Sequence, residues 1–439
     1  MKRYLYLAAI VVWTMIPASC DNYLDIEPEG KVIPKTLEEN RALLTKAYSG
    51  YPKHRSKLQF RTDEVILDEF SNDAPYFRDI YIWKDVNPDP QTGQYPWVQF
   101  YNTVFYTNHI INEGVLTMKD SAEKDQLLGE AYALRAYSFF DLVNLYGKPY
   151  NKETSANDPG VPLALEIDLE QVFKPASVQE VYAQVLSDLE NAKELINVEL
   201  QETGKNYRFS ISAVNALEAR VYLYMNDWEN AVSAVNRSLN YNDQLLNMNT
   251  AAGLPNEYTS PESVLALEDV YEASVNNAAF ISNELIALFD QENDLRFSLY
   301  FVQSGGNYKS NKGGDQKYKC SIRTAELYLL KAEALFHLGN INEAKETLLS
   351  LLENRYDPAY INTLQAGIEA MNNTDFEAML QQERARELAL EGHRWFDLRR
   401  SNQKEIVHSF DGETYILAEN DPRYTLLYPE DAKLNNPEL

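Results

Sequence analysis

The sequence predicts a mostly α-helical fold: tetratricopeptide-like helix pairs forming a scaffold, long irregular loops and little strand. Three observations point there. Apolar residues recur at helical spacing over several long segments, as in "LGEAYALRAYSFFDLVNLYG" from Leu128 to Gly147. Two stretches, 215–239 and 329–352, match each other at an offset of 113, each reading as helix, tight turn and helix. Between the helical segments lie turn-rich runs at 71–96, 241–263 and 303–319 that no helical repeat needs.

The chain begins Met1-Lys2-Arg3, followed by an apolar run from Tyr4 to Ile16 and the small residues Ala18 and Ser19 before Cys20. A cationic start, a short apolar stretch and small residues form an export signal. The run is shorter than the roughly 20 residues needed to span a bilayer. A cysteine directly after the small residues predicts cleavage of 1–19 and lipidation of Cys20, although Pro17 stands where Leu or Val is commonest. Two acyl chains, unlike one, anchor a protein stably. The other cysteine, Cys320, then has no partner, so no disulfide framework exists and a core position is expected.

A net charge of −26 argues against nucleic acid or anionic headgroups as partners. Apolar residues make up 45% of the chain, with 30 tyrosines, far from a disordered composition. The expected organisation is one domain over 20–439, with an N-terminal half at 20–240 and a C-terminal half at 241–439.

The offset of 113 places Ala219 on Ala332, Leu223 on Phe336, Asn226 on Gly339 and Ala231 on Ala344. Alanine at a crossing lets antiparallel helices approach, and neighbouring pairs then bury a shared core. "PASVQEVYAQVLSDLENAKELI" adds a helix with Ser177 as N-cap and Glu180 three residues on, a capping box.

"ERARELALEGHRWFDLRR" carries the densest set of charges. Glu383, Glu387 and Glu391 are spaced at i+4 on one helix face, with Arg384, Arg386 and Arg394 placed to reach carboxylates on neighbouring turns. A general-acid pair needs two carboxyls held apart across a substrate, not stacked along a helix. The expectation is a structural ion-pair network, including Asp397, that holds this helix and Trp395-Phe396 in the core. No catalytic residue is assigned. The histidines at 54, 109, 337, 393 and 408 show no zinc spacing. "NPDPQTGQYPWV" starts like a calcium loop, but Gly93 falls one position late and Val98 replaces the terminal Glu. No metal and no cofactor are expected.

Tyr76, Phe77, Tyr81 and Trp83 lie among Asn72, Asp73, Pro75 and Arg78, outside a clean helical stripe. A sugar ring offers an apolar face and a rim of hydroxyls, which an aromatic and its polar neighbours can cover together. These residues, with Trp83 first and Tyr308 beside Lys309 in the glycine-rich run, are the expected ligand contacts. A packed loop is the alternative reading. Tyr132, Tyr137, Phe139, Phe140, Tyr222 and Tyr328 sit at helical spacing and belong to the core.

Taken in order, these motifs resemble the SusD/RagB family of outer-membrane lipoproteins of Bacteroidetes. Cys20 followed by "YLDIEP" matches the family's start. "WVQFYNTVFYTNHIIN" is similar to its W-x3-Y…N helix at Trp97, Tyr101 and Asn108. "GEAYALRAYSFFDLVNLYGKPY" resembles a second stretch. "RTAELYLLKAEALFHLGN" matches a third at Arg323, Ala325, Glu326, Tyr328, Ala332 and Glu333. "QQERARELALEGHRWFDLRR" is the most specific signature, and "LLYPEDAKLNNPEL" keeps part of the family's ending. The resemblance implies a lipid-anchored binding protein on the outer face of the outer membrane. It would capture oligosaccharides, or peptides, for a SusC-like TonB-dependent transporter. A tetratricopeptide adaptor for protein partners is the reading from a different class, and an enzyme is the weakest option.

Overall fold

The computed structural model describes residues 34–167 and 172–439. The predicted signal segment and Cys20 lie outside them. The helices that matter below are α1 (Leu37–Ser49), α2 (Ala74–Tyr81), α3 (Trp97–His109), α4 (Ala122–Tyr146), α5 (Val178–Leu195), α6 (Ile211–Tyr224), α7 (Trp228–Leu239), α8 (Thr324–His337), α9 (Ile341–Leu352), α10 (Asn373–Glu387) and α11 (Arg394–Arg400).

Helix α4 is the hub. It is buried on nearly every side, and α3 and α5 pack against it. Its Gly129 lies so close to the end of α5 that an added Cβ would stand 2.6 Å from Ile196 Cγ1. The α5 capping box forms as the sequence predicts, Ser177 and Glu180 each accepting a backbone N–H of the other.

The internal repeat is visible as geometry. The pairs α6–α7 and α8–α9 turn at Asn226 (φ 57°) and Gly339 (φ 81°), the two residues the offset aligns. Only a residue tolerant of the left-handed region fits there, hence Asn and Gly. Ala219, Ala231, Ala332 and Ala344 are all 0% exposed at the crossings, and α7 packs on α8 so that the two pairs stack.

Among the described residues, strand is confined to five two-stranded antiparallel ladders. They are β1 (Val65–Leu67) with β5 (Ala279–Ile281), β2 (Pro159–Pro162) with β3 (Pro175–Ser177), β4 (Ser263–Leu265) with β8 (Ile322–Arg323), the hairpin β6 (Phe301–Ser304) with β7 (Asn307–Ser310), and the hairpin β9 (Ile406–Phe410) with β10 (Glu413–Leu417). The runs read as loops are therefore more ordered than expected. Residues 71–96 contain α2, with Pro75 in its first turn where its missing N–H costs nothing. Residues 303–310 form most of the β6–β7 hairpin.

Among the described residues three hydrophobic clusters divide the interior. One lies among α1 and α3 to α7, and one among α8 to α10. The third underlies the irregular segments, gathering Phe60, Phe77, Tyr81, Tyr271, Phe289 and Tyr300, with Tyr308 packed on its edge. The 71–83 and 303–319 segments thus share one support. Among the described residues no helix is long and apolar enough to cross a membrane.

Candidate functional site

The charged signature is a core, but it is wired differently from the sequence expectation. Helix α10 ends at Glu387, and Leu390 (φ 62°) and Gly392 (φ 76°) turn the chain into α11. Glu391 therefore sits in the turn and not on the helix face. Its partners, and those of Glu387, come from far along the chain. Glu387 accepts from Arg296 at 2.8 Å, Arg323 at 2.6 Å and Arg355 at 2.9 Å. Glu391 accepts from Arg323 at 2.8 Å and Lys312 at 2.5 Å. Glu383 accepts from Arg296 and, within the helix, from Arg386 at 2.9 Å. Glu262 and Asp294 complete the set through Arg323, Arg355 and Arg296.

The cations Arg296, Lys312, Arg323, Arg355 and Arg386 face an equal number of carboxylates, those of Glu262, Asp294, Glu383, Glu387 and Glu391. All of them are buried. Balance of this kind is what allows charge to be removed from water. Burial alone would raise the Glu387 carboxyl, but Arg355, Arg323 and Arg296 hold it well below the ordinary carboxylate range. Such saturated carboxylates have no lone pair to offer a substrate.

Two further arginines of the signature bond carboxylates outside this set. Arg384 bonds Asp397 at 2.8 Å, and Arg394 bonds Asp63 at 2.7 Å. Trp395 is buried, stacked on Tyr424 with the Arg61 guanidinium over its other face. Cys320 is buried, its sulfur 3.7 Å from a Glu391 oxygen. One group of metal-ligating side chains meets among the described residues: His54, Asp141 and Glu268. There Arg55 bonds Asp141 at 2.9 Å and lies 3.4 Å from Glu268, so a cation already stands beside both carboxylates.

Glu64 borders this region, and among the described residues no cation pairs with it. It accepts the Leu390 N–H at 3.1 Å, and burial pushes its carboxyl up to about 8. A raised folded pKa contributes stability that is present below the unfolded value of about 4.3 and is lost as pH rises through the folded value. The melting temperature should therefore carry a falling contribution from about pH 5 to pH 8 in the native protein, which Glu64→Gln lacks. Parallel melting curves for the two would remove Glu64 from the account.

The aromatic segment needs a correction. Trp83 is 1% exposed, its indole N–H bonded to the Arg61 carbonyl at 3.1 Å and its ring stacked on His408. Tyr81 covers the other face of His408, and Phe77 stacks on Phe60 at 4.4 Å. None of the three keeps a face for a ligand, because β9 and the third hydrophobic cluster cover them. Tyr76 is half-exposed, with Gly93 against its ring and the Lys57 ammonium 5.1 Å from its centroid. Asn72 is exposed and Asp73 half-buried at the start of α2. Phe70 beside them is 94% exposed, and the sequence reading missed it. Tyr308 leans edge-on against Phe297, while Lys309 donates to the carbonyls of Asn276 and Asn277.

The same segment does build a cleft, one step further along. Asp79 organises it: buried, it accepts from Arg78, Lys84 and the Asp89 N–H and so folds residues 84–89 back on α2. The resulting wall faces the C-terminal segment across a cleft of about 450 Å³. Tyr95 and Tyr428, both half-buried, supply aromatic surface, while Tyr146 is buried and Trp97 packs edge-on against Tyr146 and Tyr428. Lys84, Asn87, Gln94, Glu430 and Asp431 are exposed polar groups around it. Three of the cleft's carboxylates are paired, Asp79 with Arg78 and Lys84, Asp85 with Arg61 and Glu430 with Lys433, which leaves Asp431 as the acceptor without an ion pair among the described residues. Tyr146 and Tyr428 stood in the sequence only as parts of scaffold motifs, and nothing local marked their meeting. A second cleft of about 600 Å³ lies where Tyr48, Tyr207 and Tyr258 meet Asp315–Lys317.

Comparison with known proteins adds the rest. A family profile described as "Starch-binding associating with outer membrane" matches residues 22–223, and the profile of the SusD family matches 290–436. A SusD-like protein of Formosa agariphila is 28% identical, over 90% of this chain and 91% of its own. The solved structure of a SusD superfamily protein from Bacteroides thetaiotaomicron superposes with a TM-score of 0.77 at 22% identity, covering 92% of this chain and 98% of that one. A SusD-like carbohydrate-binding protein from Bacteroides vulgatus gives 0.72 at 18% identity, with 92% and 98% covered.

Proposed function

Because this chain belongs to the SusD family, a family of binding proteins and not of enzymes, we propose that it captures oligosaccharides at the cell surface and delivers them to a SusC-like TonB-dependent transporter. The observation that carries this reading is the cleft between residues 84–95 and 426–431, where tyrosine faces stand beside amide and carboxylate side chains. A pyranose presents an apolar C–H face and a hydroxyl rim, and such a lining meets both. The relative from Bacteroides vulgatus is described as carbohydrate-binding, which supports the ligand class. The Asp431 carboxylate and the chain's net charge of −26 favour uncharged or amine-bearing sugars over sulfated or uronate ones.

Calorimetric titration against maltoheptaose, laminarihexaose, a sulfated oligosaccharide and a mixed peptide pool tests the reading. Binding of a neutral sugar with no response to the sulfated one is the expected result. Binding of peptides alone would move the receptor role to peptides.

The attachment follows from Cys20. Labelled palmitate fed to the native host should enter the wild type and not Cys20→Ser, leaving the variant free of the membrane fraction. Equal labelling of both would remove the lipid anchor and with it the outer-membrane location.

A further inference from the structure

His408 lies on the inward face of β9, buried between two aromatic rings. Tyr81 stacks on one side at 4.0 Å and 9°, and Trp83 on the other at 4.2 Å and 17°. In the ring plane, Nδ1 is 2.7 Å from the Tyr81 carbonyl oxygen and Nε2 is 2.9 Å from the Thr62 carbonyl oxygen. A carbonyl oxygen only accepts, and a neutral imidazole carries one N–H. A neutral His408 would therefore aim a lone pair at one of the two oxygens from hydrogen-bond distance. The imidazolium alone satisfies both contacts, and two π faces suit a cation.

The surroundings divide. Burial holds the imidazole below its ordinary range, against the two carbonyls and the carboxylates of Asp63 and Glu284, so the charged form rests on the two in-plane acceptors that a neutral ring cannot satisfy together. Asp63 is shared with Arg394 and Lys404. Arg61, on the neighbouring turn, is engaged by Asp85. Glu64 follows on the same turn, and Tyr415 is the cross-strand partner on β10.

What the ring holds is strained. Trp83 has a φ of 53°, a region that a bulky residue occupies only when its surroundings enforce it. Its indole bond to Arg61 and the stack on His408 are the enforcing contacts. The chain leaves this turn directly into Lys84, Asp85 and Asn87, which wall the cleft.

We propose that His408 is carried as a doubly donating imidazolium and acts as a positioning residue for the cleft, pinning the Tyr81–Trp83 turn so that ligand affinity follows its protonation. The charge on His408 stands independently, while the effect on affinity rests on the cleft being the oligosaccharide site. Losing the proton turns one carbonyl contact repulsive, loosens the turn and displaces the wall from 84 onward.

The test has two readouts. In protein with ¹⁵N-labelled histidines, the His408 signals, assigned by their absence in His408→Gln, are followed from about pH 5 to pH 9. Both ring nitrogens should be protonated at neutral pH, and the amide signals of residues 84–95 should shift with the same titration. One protonated and one bare nitrogen at neutral pH would overturn the charge assignment. Static 84–95 amides through the titration would overturn the positioning role. Affinity for whichever of maltoheptaose or laminarihexaose binds should fall severalfold across that titration, and His408→Gln should show the weaker affinity at every pH. If neither sugar binds while the spectra behave as expected, the fault lies in the ligand-site reading and not in His408.

Discussion

Glu387→Ala should destabilise the protein by about 3–5 kcal/mol, the cost of leaving a buried charge network with one partner removed. The reason is stoichiometric. Glu387 is shared by Arg296, Arg323 and Arg355, all buried, so its loss leaves excess positive charge away from water. Glu387→Gln keeps the shape and loses the charge, and should be nearly as damaging. The pH dependence has a definite sign. The folded pKa of Glu387 is depressed, so its contribution is present above the unfolded value of about 4.3 and is lost as pH falls toward the folded one. Thermal melts at neutral pH measure the first effect, and a series from neutral to acid measures the second. A variant that melts like the wild type would mean that the network is not a structural core.

Trp83→Ala should also act on the fold, by about 3–5 kcal/mol, the range for removing a buried large aromatic. The indole stacks on His408, donates to the Arg61 carbonyl and is 1% exposed. An alanine would keep the unfavourable φ of 53° and lose every contact that enforces it. Denaturant titration should show the loss with no sugar present. Normal stability with lost oligosaccharide binding would return Trp83 to the ligand surface.

Why Trp83 misled is instructive. Its neighbours in sequence are polar and turn-forming, and no helical stripe includes it, so locally it reads as exposed. The strand that covers it comes from far along the chain and sets His408 against the Tyr81 carbonyl, 327 residues from Tyr81. The helix pairs were legible for the opposite reason. Ala219, Asn226, Ala231 and their counterparts 113 residues on act within one turn or one crossing, and spacing along the chain records such contacts. The charged signature falls between these cases. Its burial could be read from residue type and density, but the partners of Glu387 stand 91, 64 and 32 residues away. Helix periodicity offered Arg384 and Arg394 instead, and these pair with Asp397 and Asp63. The cleft was half legible, since the 84–95 wall belongs to the segment singled out while Tyr146 and Tyr428 read as scaffold.

The central claim is that an oligosaccharide binds in the cleft between residues 84–95 and 426–431 and leaves unchanged. Gln94 and Asp431 are its most useful probes, because both side chains are exposed and their loss should spare the fold. Calorimetry of the wild type should give a micromolar to millimolar dissociation constant, on the order of −8 to −4 kcal/mol. The double variant Gln94→Ala/Asp431→Ala should bind about tenfold or more weakly, as expected for two lost hydrogen bonds, one of them to a charged group. Its melting temperature should match the wild type, and mass spectrometry should recover the sugar intact. Equal affinity in the double variant would place the site elsewhere, and a cleaved sugar would contradict the binding-protein account altogether.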